Sequence, residues 1–159
     1  MTVEFEVTTV IAAPIEAVFD LSLDIDAHLE SMAASGERAV DGVTSGRIGL
    51  GEDVTWRATH FRIPFTMTSR VTELDRPHRF VDEQQRGPFR RFRHEHLFEV
   101  DEPGGGTVMR DHLAFDAPAG VVGRIAERLL LARYLEQLIE QRSRHTKTEA
   151  ERHHGPGPG

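Results

Sequence analysis

The sequence predicts an α+β domain: one strand, two short helices, an antiparallel meander and one long closing helix. Three observations support this. VEFEVTTVI, residues 3 to 11, alternates apolar and polar side chains at the two-residue period of a strand. Strand-like runs between residues 54 and 115 are separated by the turn-forming segments RPH, RGP and DEPGGG. From residue 121 the apolar positions recur at helical spacing instead.

Taken in order, the opening strand ends at AAP, where Pro14 suits the first turn of a helix. Apolar residues from Ile15 through Leu21 follow helical spacing, and DIDAHLESMAA reads as a second short helix capped by Asp24 or Asp26. GVTSGRIGLGED, residues 42 to 53, is punctuation. Its glycines lack the G-K-[ST] ending of a phosphate loop and are expected to serve turns. Strands are expected at Val54 to Phe61, Ile63 to Leu74, Arg79 to Gln85, Phe89 to Val100 and Thr107 to Phe115, paired antiparallel in sequence order. The closing helix is expected over Val121 to Gln141, with Val122, Ile125, Ala126, Leu129, Leu135, Leu138 and Ile139 on a broad apolar face. Residues 1–142 thus form one domain. Residues 143–159, polar and ending in alternating Gly and Pro, are expected to be a disordered tail in which any metal binding by His153 and His154 is incidental.

The 159 residues are 38% hydrophobic and 28% charged, the balance of one globular domain. A net charge of −7 argues against binding to nucleic acid or anionic lipid. With no cysteine, the chain has no disulfide framework, thiolate nucleophile or cysteine metal site. The acidic, alternating N-terminus does not resemble a signal peptide, and no run approaches membrane-spanning length, so a cytoplasmic location and no membrane insertion are expected.

TTVIAAPIEAVFDLSLDIDAH, SGRIGLGEDVTWR and GGGTVMRDHLAFDAPAG resemble, in order, the opening, the loop into the third strand and the penultimate stretch of the START-like, or SRPBCC, superfamily of polyketide cyclase/dehydrase-type proteins. The resemblance spans roughly residues 1 to 142. It implies the helix-grip fold, a curved antiparallel sheet wrapped around the long C-terminal helix. It also implies a cavity between sheet and helix that holds an apolar or aromatic small molecule. No cofactor follows from it, and no catalytic residues are carried over.

Within RRFRHEHLFEV, residues 90 to 100, strand alternation puts Phe92, His94, His96, Phe98 and Val100 on one face. Pairing Val100 with Thr107 across the DEPGGG hairpin sets Phe98 opposite Met109, His96 opposite Asp111 and His94 opposite Leu113. The same parity adds Trp56, His60, Phe65, Met67, Phe80 and Asp82. The expected cavity surface is therefore apolar (Trp56, Phe65, Met67, Phe80, Phe92, Phe98, Met109) with a polar cluster of His60, Asp82, His94, His96 and Asp111. The histidines and aspartates also fit a purely structural role, as satisfied buried groups that fix strand register. H-x-H with His60 and an aspartate has the makings of a metal site, but small members of the superfamily generally lack a metal, and none is expected.

Three functions follow. The first is a carrier or binding protein for an apolar or aromatic metabolite, such as a lipid. The second is a cofactor-independent cyclase or dehydratase in which His96 and Asp111 move protons. The third is an interaction domain in which LLLARYL offers apolar surface to a protein partner or to a second copy in a homodimer.

Overall fold

The computed structural model of the chain describes residues 2–117 and 125–155. β1 (Thr2–Ile11) leads through Pro14 into α1 (Ile15–Ser22) and α2 (Ile25–Ser31). Of the two candidate caps for α2 it is Asp24 that acts, its Oδ1 accepting the Ala27 N–H at 2.9 Å. A 3₁₀ turn (Ala33–Ser35) precedes β2 (Arg38–Gly42), β3 (Asp53–His60), β4 (Ile63–Asp75), β5 (Arg79–Arg86), β6 (Arg91–Asp101) and β7 (Gly106–Asp116), and α3 (Ile125–His154) closes the chain.

The strands form one antiparallel sheet in the order β1-β7-β6-β5-β4-β3-β2, so the meander runs from β2 to β7 and β1 adds to its far edge. The β6–β7 register is the one expected, with His96 opposite Asp111 and His94 opposite Leu113. β2 was not expected. It is a five-residue edge strand of mostly exposed side chains, so it shows no alternation of apolar and polar residues. It ends at Gly42, whose φ of +75° and close approach to the Asp53 carbonyl leave no room for a Cβ.

The sheet curves around α3, with α1 and α2 closing one end: the helix-grip arrangement. Phe19 of α1 meets Phe80 and Phe98 edge-on, with ring centroids 5.7 and 5.3 Å apart, and Val18, Ile11 and Met109 complete that part of the core. No helix among the described residues is long and apolar enough to cross a membrane.

The expected tail requires correction. Residues 143–154 continue α3 without a break, and Ser143, Thr146 and Ala150 are buried. Their spacing extends the helical stripe of Leu135 and Ile139, but with small side chains that let the helix approach the sheet closely, so apolarity alone does not reveal it. The end of α3 is also tied to β1 and the turn after it: Glu151 accepts the Ala12 N–H at 2.9 Å, and Lys147 donates to the Val10 carbonyl at 2.7 Å. The expected start of the helix at Val121 and the final Gly/Pro residues lie outside the described residues.

Candidate functional site

Between the concave face of the sheet and α3 lies a cavity of about 400 Å³, within the range typical of small-molecule sites. Of the residues expected to line it, Trp56, His60, Phe65, Met67, Phe80, Asp82, Phe92 and His94 do so. His96, Phe98, Met109 and Asp111 do not. They sit behind the wall, His96 1% and Asp111 4% exposed. The reason is α1: Phe19 and Ser22 fill the end of the concave face over Phe98 and Met109, and the Phe80 ring stacks on His96 with centroids 4.0 Å apart. Alternation along a strand gives the face a side chain is on, but not which part of that face another element covers.

Strand parity could not find the lining supplied by helices. Leu131, Tyr134, Leu135, Leu138, Ile139 and Arg142 of α3 form one wall. The apolar stripe of α3 was legible, but its cavity-facing stretch was not. His28 and Glu37 also line the cavity; they hydrogen-bond each other, and the His28 ring packs on Trp56 with centroids 4.2 Å apart. No sequence pattern points to either residue.

One boundary is set by the β3–β4 hairpin, whose two-residue turn, Phe61 and Arg62, has φ of 51° and 64°. Non-glycine residues rarely adopt this left-handed conformation. Phe61 is 69% exposed yet reaches Tyr134 of α3, with ring centroids 4.5 Å apart, and Tyr134 Oη lies 2.6 Å from His60 Nδ1. Hairpin and helix thus meet through aromatic side chains at the edge of the cavity.

Asp82, His94, His96 and Asp111 form one hydrogen-bonded cluster across β5, β6 and β7. His96 places Nδ1 2.8 Å from Asp111 Oδ1 and Nε2 2.9 Å from Asp82 Oδ2. His94 Nε2 lies 3.0 Å from the same Asp111 Oδ1, while Ser143 of α3 donates to Asp111 Oδ2 at 3.0 Å. Burial would depress the basicity of His96, but hydrogen bonds to both carboxylates outweigh it and raise its pKa. Burial, followed by the charge on His96, pushes His94 down to about 4. Burial would raise both aspartates. Hydrogen bonds from the histidines win instead, holding Asp82 at about 2 and Asp111 well below the usual carboxylate range. At neutral pH the cluster therefore holds two carboxylates and a neutral His94, with His96 drawn towards its charged form.

Arg142 brings a positive charge to this mostly apolar lining. Its Nη2 donates to the Ser22 carbonyl at 3.2 Å, and its field, after burial, lowers the pKa of His28. The cavity thus combines apolar walls with Asp82, His94 and Arg142, groups able to orient a hydroxyl, carbonyl or carboxylate.

The family model described as polyketide cyclase / dehydrase and lipid transport matches residues 2–151. The chain belongs to this family. Its fold recurs in solved structures of low sequence identity. The Zhui aromatase/cyclase from Streptomyces sp. R1128 is 19% identical at a TM-score of 0.75, covering 96% of this chain and 95% of that one. TTHA0849 from Thermus thermophilus is 18% identical at 0.71, covering 93% and 99%. Ginseng major latex-like protein 151 from Panax ginseng is 12% identical at 0.65, covering 98% and 99%. No curated protein sequence matches the chain. Membership of the polyketide cyclase / dehydrase and lipid transport family bears out the START-like resemblance read from the sequence.

Proposed function

We propose that this member of the family binds an apolar or aromatic small molecule in the cavity and acts as a carrier or binding protein. The single observation that carries this reading is the lining: apolar and aromatic side chains from sheet and helix, interrupted by a few polar groups, of which Asp82, His94 and Arg142 orient the ligand.

An enzymatic reading, in which the same cavity hosts a cyclase or dehydratase reaction, is less well supported. His96 and Asp111, the pair that the sequence suggested for proton transfer, lie behind the wall. His94 does reach the cavity, but a pKa of about 4 makes it a weak base at neutral pH, whereas general bases work best with a pKa near the working pH. A homodimer through LLLARYL has less support still, since Leu131 and Tyr134 face the cavity and leave Leu129 and Leu130 as the exposed apolar residues of that segment.

Titration with anilinonaphthalene sulfonate, followed through energy transfer from Trp56, tests the binding reading. Saturable one-site binding is expected, weakened at least tenfold by Val54→Phe, which fills the cavity. Absence of saturation, or equal binding by the variant, refutes it.

A further inference from the structure

We propose that Asp82, His94 and His96 form a site for a divalent transition-metal ion, with Asp111 as the carboxylate that orients both imidazoles. This departs from the expectation, drawn from the superfamily resemblance, that no metal is held.

One donor atom from each of Asp82, His94 and His96 lies within 4.8 Å of the others. Ligand bonds of about 2.0–2.2 Å place two donors on one tetrahedral ion about 3.4 Å apart, so donors at the wide end of that range close on an ion by a shift of about 1 Å. His96 Nε2 and Asp82 Oδ2 already stand 2.9 Å apart, the separation of two donors at a right angle about a shared ion. The three ligands are fixed by sheet register: His94 and His96 share a face of β6, and Asp82 of β5 is paired directly with His94.

The surroundings are those a metal centre requires. Metal-bound histidines usually donate the second ring N–H to a carboxylate, which sets the tautomer and the ring orientation. Asp111 Oδ1 takes His94 Nε2 at 3.0 Å and His96 Nδ1 at 2.8 Å, engaging one ring nitrogen of each histidine. Ser143 fixes the other oxygen of Asp111. Two imidazoles and one carboxylate form the donor set of zinc and non-haem iron sites. Asp82 and His94 line the cavity, so an ion they hold would lie at its wall.

The test titrates metal-free full-length chain with Zn²⁺ by calorimetry and with Co²⁺ by visible absorption, in a His153→Ala/His154→Ala background that removes the adjacent histidines at the end of α3. No organic ligand is added, so the outcome is independent of the binding reading above. One equivalent bound at micromolar Kd or tighter is expected, with at least a hundredfold loss in Asp82→Asn and His94→Ala. Asp111→Asn is expected to lose about 10- to 100-fold. His94→Ala empties a buried position and can perturb folding, so Asp82→Asn is decisive. Absence of one-equivalent binding, or affinity unchanged by Asp82→Asn, overturns the proposal.

Discussion

His96 is held between two carboxylates, Asp111 Oδ1 2.8 Å from Nδ1 and Asp82 Oδ2 2.9 Å from Nε2. Each favours the imidazolium. Replacing either by a neutral amide removes charge that holds the proton, so Asp111→Asn and Asp82→Asn should each lower the pKa of His96. Ring ¹H–¹⁵N spectra recorded across pH measure the shift directly. An unchanged or higher value in both variants contradicts the arrangement.

The same cluster gives stability a defined pH dependence. His96 has a raised folded pKa, so its contribution is fully present below the unfolded value of about 6.5 and is lost as pH rises through the folded value. Asp82 is depressed to about 2, so its contribution is present above the unfolded value and is lost as pH falls through the acid range. Asp82→Asn should therefore complete its alkaline loss of stability at lower pH than the parent, with a smaller total loss, and show a smaller acid-side loss. Urea denaturation over a pH series measures both limbs. Parallel parent and variant curves would show that the pair does not titrate this way.

Ser143 couples α3 to the cluster by donating to Asp111 Oδ2. Ser143→Ala leaves that buried carboxylate oxygen without its hydroxyl donor and should cost about 1–3 kcal/mol. Truncation before Ser143 also removes the buried Thr146 and Ala150 and the Glu151 bond to Ala12, and should lower Tm by roughly 10 °C or more. Thermal denaturation decides this; a truncated chain that melts like the parent would mean that this part of α3 contributes nothing.

Phe61 holds a left-handed backbone conformation while its ring meets Tyr134. Phe61→Gly should relieve backbone strain but open the cavity edge, speeding probe dissociation, whereas Arg62→Gly should relieve strain of about 1 kcal/mol without that acceleration. Stopped-flow displacement of the naphthalene probe separates the two. Equal dissociation rates in parent and Phe61→Gly would remove Phe61 from the path.

Much of the fold was legible because its signals are local. The alternation of VEFEVTTVI, the turns at RPH and RGP and the DEPGGG hairpin locate β1 and most of the meander, and the hairpin fixes the His96–Asp111 pairing. The failures share a cause: tertiary contact without a periodic apolar signal. β2 is short and exposed; Ser143, Thr146 and Ala150 are buried but small or polar; and α1 covers Phe98 and Met109, converting cavity wall into core. For the site, parity identified the sheet side from Trp56 to His94 but had no access to Arg142, Tyr134 or His28, which other elements bring to it.

The most direct test of the account is native mass spectrometry of the protein purified from its own host, beside a Val54→Phe variant prepared identically. The account predicts a retained apolar small molecule on the parent, released on denaturation and depleted in the variant. Parent protein that carries only its bare chain mass, with nothing released on denaturation, would contradict it.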